Sequence, residues 1–300
     1  VSEKTPLNKE NTSIRSLRES DFGRAAELWL ACFPEDDRAF VDYYFAKRTR
    51  PERMLGLFET DGGRENLVSM LCFEKRRMAA KDPADPRRGS AEVCFIAGVC
   101  TAPEKRRRGC IRRLFAALES RMAGEGVGVF LLQPFDFGFY KKLGYKPFAK
   151  RGIIGVQSAD TALPPGFRSV EPTAEKMLAA YDKAFSGVSG VLERSADRFA
   201  AIAEEYAMPG AKSAAVESET GCAYALWYGD ELPLMDEFVF TDDAARAALE
   251  AAVFARAGAF SYPVPAESAE DGAYFNMIRI TDERFAYLEK QAAPFGLTKY

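Results

Sequence analysis

At 300 residues, 47% hydrophobic and 28% charged, the chain has sequence enough for about two ordinary soluble domains. Lys and Arg total 41 against 44 Asp and Glu, a net charge of −3, so no global field draws the protein to nucleic acid or to an anionic membrane. Histidine is absent, which excludes Ser-His-Asp and Cys-His catalysis, His-bearing zinc sites and a histidine pH switch. The six cysteines, Cys32, Cys72, Cys94, Cys100, Cys110 and Cys222, form no C-x-x-C pair, and most lie in apolar runs. They read as small buried hydrophobes of a reducing compartment. No apolar stretch approaches the roughly 18 residues of a membrane span, and the opening VSEKTPLNKENTS is too polar for a signal peptide, so a cytoplasmic protein is expected.

In chain order, a short strand at Ser13 to Leu17 leads to Ser20-Asp21, an N-cap for a helix with Ala25, Leu28, Trp29, Cys32 and Phe33 on one face. Pro34-Glu35-Asp36-Asp37 opens a second helical pattern through Phe40, Tyr43, Tyr44 and Ala46. Met54 to Glu59 and Leu67 to Phe73 form a hairpin about Asp61-Gly62-Gly63, followed by a charged loop from Lys81 to Ser90. The run Glu92 to Thr101 is almost wholly apolar and suits a strand covered on both faces. Directly after it, Ile111, Leu114, Phe115 and Leu118 fall at helical spacing. Val127 to Leu132 is a strand, Phe137 to Leu143 a short helix closed by Gly144, and Tyr145 to Val156 a further strand.

Pro164-Pro165-Gly166 marks a linker over residues 160–166. Past it come a strand near Phe167 to Val170, helices near Thr173 to Phe185 and Ser195 to Met208, and strands near Ser213 to Glu217, Cys222 to Tyr228 and Leu234 to Phe240. A helix from Asp242 to Ala257, a strand near Tyr274 to Ile280 and a helix near Asp282 to Gln291 complete the chain. Both halves spell β-α-α-β-β-β-α-β followed by a short helix, a repeat of element order and not of residues. Tyr224, Trp227 and Tyr228 on one strand read as core or interface aromatics.

The segment Lys105 to Arg113 carries six positive charges in nine residues. It could be a solvated helix face or a nucleic-acid patch. It also stands at a strand-to-helix turn with Gly109, where unpaired backbone N–H groups and the helix dipole suit a diphosphate. Val99 to Ile111, V-C-T-A-P-E-K-R-R-R-G-C-I, resembles the acetyl-CoA signature of the GNAT N-acetyltransferases, in which Arg/Gln-x-x-Gly-x-Gly/Ala follows the fourth strand. The signature falls on Arg106, Arg107, Arg108, Gly109, Cys110 and Ile111. Ile111 replaces the usual small residue, as is common in the enhanced-intracellular-survival (Eis-like) subgroup. Gln133 to Phe148, Q-P-F-D-F-G-F-Y-K-K-L-G-Y-K-P-F, is similar to the same family's closing helix, where Tyr140 matches the tyrosine beside the CoA sulfur. Spacing alone leaves Tyr140 equally readable as a core aromatic.

The resemblance implies an α+β (α/β) fold of two tandem GNAT-like domains, each a mixed, mainly antiparallel sheet flanked by helices. Residues 13–156 would be the catalytic acetyl-CoA-binding domain and 167–300 a degenerate copy walling the acceptor site. It implies acetyl-CoA as cosubstrate without a metal, and transfer of the acetyl group to a primary amine of a small molecule or lysine-bearing peptide. Val99 and Thr101, with Cys100 between them, would pair with the pantetheine arm, an N–H near Val99 would serve the oxyanion, and Tyr140 would protonate the sulfur. For the base, Glu35, Asp36 and Asp37 stay open beside the Tyr300 carboxylate, each acid being equally a helix cap. The second half offers Thr241-Asp242-Asp243 where phosphates would sit, good for a helix start and bad for CoA. No nucleic acid or membrane partner is expected, and self-association stays open. The competing readings are an acyl-CoA-binding regulator without catalysis and a nucleic-acid binder using the basic turn.

Overall fold

The computed structural model describes residues 8, 10–82, 89–265 and 273–290. The first half runs β1 (Thr12–Ser16), α1 (Phe22–Cys32), α2 (Arg38–Tyr43), β2 (Met54–Asp61), β3 (Arg64–Ala79), β4 (Ser90–Thr101), α3 (Cys110–Gly124), β5 (Val129–Leu132) and α4 (Phe137–Lys141). Two strands follow, β6 (Lys146–Pro147) and β7 (Lys150–Val156). The second half runs β8 (Arg168–Val170), α5 (Ala174–Ala184), α6 (Ala196–Tyr206), β9 (Ala211–Glu217), β10 (Cys222–Tyr228), β11 (Glu237–Phe240), α7 (Asp243–Ala257), β12 (Phe260–Pro265), β13 (Ala273–Tyr274) and β14 (Met277–Ile280). The order β-α-α-β-β-β-α-β therefore occurs twice, but its eighth element in the second half is β12, which sequence reading passes over. Prolines at 263 and 265 disguise it, and they are tolerated because β12 lies at the edge of its three-stranded sheet.

One sheet has the order β1-β2-β3-β4-β5-β14-β6, antiparallel at β1–β2, β2–β3 and β5–β14 and parallel at β4–β5. Its strands carry long apolar runs because both faces are covered. Along β3, Val68, Leu71 and Phe73 join the core with Leu114 and Phe115 of α3, while Met70 and Cys72 join Ala25 and Trp29 of α1. The same alternation builds the second unit: Ala223, Ala225 and Trp227 pack with Leu249 of α7, and Tyr224 and Leu226 with Phe199 of α6. Fully burying each Val, Leu, Phe or Met side chain among them is worth about 1.5–3 kcal/mol. Trp227 and Tyr224 are thus core, whereas Tyr228 is 40% exposed. Inside the second unit Arg194 and Glu237 form a buried pair at 2.6 Å, and the Tyr224 hydroxyl donates to Glu237 at 2.7 Å.

The helix starts differ in detail from expectation. Asp21 accepts from the Arg15 guanidinium at 2.8 Å and from Arg18 N at 2.7 Å, and gives α1 no side-chain cap. The hydrogen bond from Arg15, and then that from the Arg18 amide, hold its carboxyl below the usual carboxylate range against some desolvation. The second helical pattern begins only at Arg38, capped by Asp37, and passes into a π-helical turn over Tyr44–Arg48.

The contacts divide the chain otherwise than at residues 160–166. One compact unit comprises residues up to Arg76, Glu92–Lys146 and Met277–Ala286, and the other Arg77–Ala91, Pro147–Asn276 and residues from Tyr287. Each expected closing strand is cut in two. Tyr145 to Val156 is divided after Pro147, where the Phe148 amide still donates to the Asn276 carbonyl at 2.9 Å, and β7 then pairs with β12. Tyr274 to Ile280 breaks between β13, which pairs with β7, and β14, which pairs with β5. The two halves have exchanged closing strands.

Gly98 interrupts β4 in the left-handed region, at φ 57°. A Cβ there would stand 2.5 Å from Cζ3 of Trp29 and 3.3 Å from Sγ of Cys72. Gly98→Ala should therefore lower stability by about 2 kcal/mol, through overpacking added to backbone strain, as read by denaturant unfolding. An unchanged midpoint would show that Trp29 yields freely.

Candidate active site

The site is assembled from the end of β4, the turn after it, the start of α3 and the aromatic cluster of α4. β4 and β5 pair in parallel only through Cys94, Phe95 and Ile96. β5 ends at Leu132, so Ala97 to Thr101 continue without it. On the other side the strand is fixed: Ser69 Oγ donates to the Cys100 carbonyl at 2.7 Å and lies 2.8 Å from Thr101 Oγ1, and the Ala102 amide donates to Val68 O at 3.0 Å. Val99 is half-buried, while Cys100 and Thr101 are buried.

Pro103–Lys105 make one 3-10 turn, and two left-handed residues then reverse the chain, Arg107 at φ 65° and Gly109 at φ 77°. Gly109 is the N-cap of α3 and brings no side chain to it, so the first amides of the helix, from Cys110 on, have no partner one turn earlier. A Cβ at Gly109 would meet nothing within 4 Å. The position is therefore open toward the outside and constrained only by φ. The Nε of Arg108 is buried without a hydrogen-bond partner. Several neighbouring cations are already engaged: Lys105 with Glu59, Arg113 with Thr12 Oγ1 at 2.8 Å, and Arg106 with the Thr101 carbonyl at 3.2 Å. What remains is a cradle of N–H groups and guanidinium at a positive helix end, which fits a diphosphate.

Tyr140 sits on α4, whose first turn is fixed by Asp136 accepting from Phe139 N at 3.1 Å. It is 2% exposed, and its ring meets Phe115, Phe135, Phe139 and Tyr145 with centroids 5.1–6.1 Å apart. Burial, and secondarily the nearby Cys100 thiol, pushes the phenol above its usual value of 10, so the hydroxyl stays protonated. Tyr140 is thus both a packed aromatic and a neutral O–H near β4.

Of the acids between α1 and α2, Asp36 accepts from Trp29 Nε1 at 2.7 Å, and Asp37 accepts from Phe40 N at 2.7 Å. Glu35 is exposed and has no partner among the described residues. None of the three touches the turn or Tyr140 among the described contacts. Tyr300 lies outside the described residues. Sequence reading passed over Cys32 as a core thiol. It is half-buried at the end of α1, with its Sγ 3.4 Å from the Thr101 carbonyl oxygen and 3.7 Å from Arg106 Nη2. Helical spacing shows only that Cys32 follows Trp29 on the apolar face, and gives no sign that β4 ends beside it.

The second unit's equivalent junction, β11 to α7, is closed. Asp242 caps α7 by accepting from Ala245 N at 2.8 Å, and Asp243 adds a second acid to its first turn. Among the described residues, no helix is long and apolar enough to cross a membrane.

No curated protein matches the chain. Among solved structures, a GCN5-related N-acetyltransferase from Kribbella flavida superposes with a TM-score of 0.68 at 20% identity, covering 92% of this chain and 73% of its own. Eis1 from Mycobacterium abscessus does so with 0.67 at 15% identity, covering 90% and 74%. A GCN5-related N-acetyltransferase from Anabaena variabilis gives 0.70 at 12%, covering 91% and 73%. These likenesses show the α+β fold of mixed, mainly antiparallel sheets and helices that the resemblance implies. The family model described as Acetyltransferase (GNAT) domain matches residues 13–148, the stretch that holds β4, the left-handed turn and Tyr140. Those residues are a GNAT N-acetyltransferase domain, of the family whose members acetylate amines with an acyl-CoA cosubstrate.

Proposed function

We propose that the chain transfers the acetyl group of acetyl-CoA to a primary amine of a small molecule or lysine-bearing peptide, using the first unit alone. The observation that carries this reading is the uncapped α3 start behind Arg107 and Gly109, next to a strand edge that β5 leaves free. The amides of Arg107 to Ile111 hold the pyrophosphate, aided by Arg108. The free edge of β4 at Val99 and Thr101 takes the amide groups of the pantetheine arm, as an added strand would.

Bound acetyl-CoA supplies an activated carbonyl and a thiolate leaving group. The Val99 N–H donates to the negative charge that develops on the carbonyl oxygen, and the Tyr140 hydroxyl donates to the departing sulfur. Glu35, its carboxylate unpaired among the described residues, is the acid between α1 and α2 left to accept the amine proton. Asp36 and Asp37 are occupied in holding Trp29 and capping α2.

The test is release of CoA thiol from acetyl-CoA with a panel of amines. Amine-dependent release is expected. Tight acetyl-CoA binding with no release for any amine would favour the regulatory, non-catalytic reading. Since Asp242 already satisfies the α7 start, titration calorimetry should return one acetyl-CoA site per chain. A stoichiometry near two would show that the second unit is not degenerate.

A further inference from the structure

β4 changes face at Gly98. Cys94 and Ile96 lie in the core shared with α3, and strict alternation would send residues 98 and 100 there too. Instead Val99 packs against that core, and Cys100 joins Trp29 and Ala25 in the core shared with α1. The strand has gained one residue, a bulge whose glycine stands in the left-handed region at φ 57°. The shift settles where the backbone points. The Ala102 amide donates to Val68 O at 3.0 Å and the Cys100 carbonyl accepts from Ser69 Oγ at 2.7 Å, so the even residues past the bulge address β3. Val99 and Thr101 accordingly turn their backbone groups toward the side that β5 leaves open.

One side chain keeps the bulge in place. The six-membered ring of Trp29 lies against Gly98, where a Cβ would stand 2.5 Å from Cζ3 and 3.0 Å from Cη2. The pyrrole edge of the indole is anchored, Nε1 donating to Asp36 Oδ2 at 2.7 Å. Phe33, Tyr44 and Phe45 surround it with ring centroids at 5.3, 4.9 and 5.8 Å. Tyr44 opens the π-helical turn that ends at Arg48, and such turns are rare and cluster at functional sites.

We propose that Asp36 and Trp29 are positioning residues for acyl transfer: Asp36 fixes the indole, the indole holds the Gly98 bulge, and the bulge aims the Val99 N–H at the carbonyl oxygen of the thioester. The proposal rests on the acyl-transfer reading above and deepens it. Asp36 serves as a hydrogen-bond acceptor that acts through Trp29, so its negative charge is dispensable. That separates it from an acid that takes the amine proton, for which the charge is the function.

The experiment measures acetyl-CoA affinity and amine-dependent turnover for variants of the full chain. Asp36→Leu should lower the turnover number about tenfold to a hundredfold while affinity stays within about threefold, because the Val99 N–H matters most when charge develops on the oxygen. Asp36→Asn, whose amide oxygen still accepts from the indole, should keep turnover within about threefold of wild type. Trp29→Phe should lower turnover as Asp36→Leu does, and adding Asp36→Leu to it should cost no more than about twofold further. Heteronuclear spectra read the same latch without an amine. Asp36→Leu should shift the Trp29 indole and Val99 amide resonances, and leave in place the indole of Trp227, the chain's other tryptophan, buried in the second unit. Should Asp36→Leu fold poorly, Trp29→Phe carries the test of turnover against affinity. Asp36→Asn as damaging as Asp36→Leu, additive losses in the double variant, or an unmoved Val99 resonance would overturn the proposal. A wild type that releases no thiol with any amine overturns the acyl-transfer reading instead, and the latch is then decided by the Val99 resonance alone.

Discussion

Tyr140→Phe is expected to lower the turnover number by about 10² to 10⁴ while acetyl-CoA affinity stays within about twofold. The phenol hydroxyl is needed when the sulfur departs and not when the thioester is merely bound, so its loss falls on the chemical step. The ring stays. Its contacts with Phe115, Phe135, Phe139 and Tyr145 survive the substitution. The hydroxyl makes no hydrogen bond to a described residue, so removing it should leave the melting temperature level or slightly higher. Burial raises the phenol above 10, and the proton-bearing form therefore persists through that pH. Tyr140 should accordingly add no falling limb to the pH–rate profile below about 10. A phenylalanine variant that keeps most of its turnover when chemistry is rate-limiting would reduce Tyr140 to a packing aromatic.

Gly109→Val should abolish measurable acetyl-CoA binding in a protein that still folds. At φ 77° a β-branched residue is strained, at about 1–3 kcal/mol, yet a Cβ there meets no protein atom within 4 Å. The fold is thus spared a steric clash, and the branched side chain stands where an anion must approach the backbone. Gly126 offers a control, since it has φ 78° and equally open surroundings just past α3. Gly126→Val should lose similar stability and keep its affinity, as read by calorimetry. If the two variants bind acetyl-CoA alike, the turn is not the phosphate cradle.

What the sequence shows and what it hides follow from range. Apolar runs with covered faces, such as β4, and the helix stripe from Ile111 to Leu118 are local patterns that burial enforces, and both stand where periodicity puts them. The turn is legible because glycine and a helix start carry a chemical meaning in nine consecutive residues. Arg107 is less so, since nothing in an arginine announces a left-handed φ. The acids illustrate the opposite limit: Asp36 and Asp37 read alike in sequence, but one holds an indole and the other caps a helix. The place of Cys32 beside the Thr101 carbonyl and the exchanged strands depend on which distant segments meet, and no local periodicity encodes that.

The exchanged strands also set a timetable for synthesis. β5, with all four of its residues buried, receives its antiparallel neighbour from Met277–Ile280, Leu132 pairing with Met277. A growing chain must therefore emerge to residue 280 before that edge is satisfied, and until then VFLL presents unpaired backbone to any passing strand. Closing so long a loop costs entropy before the pairing gives any return, which places this step late and makes it slow. A cut within residues 160–166, inviting by composition, would leave one half with an open edge and the other with a strand it cannot place. Two nascent chains on one message could then complete each other, and refolding yield should fall with rising protein concentration.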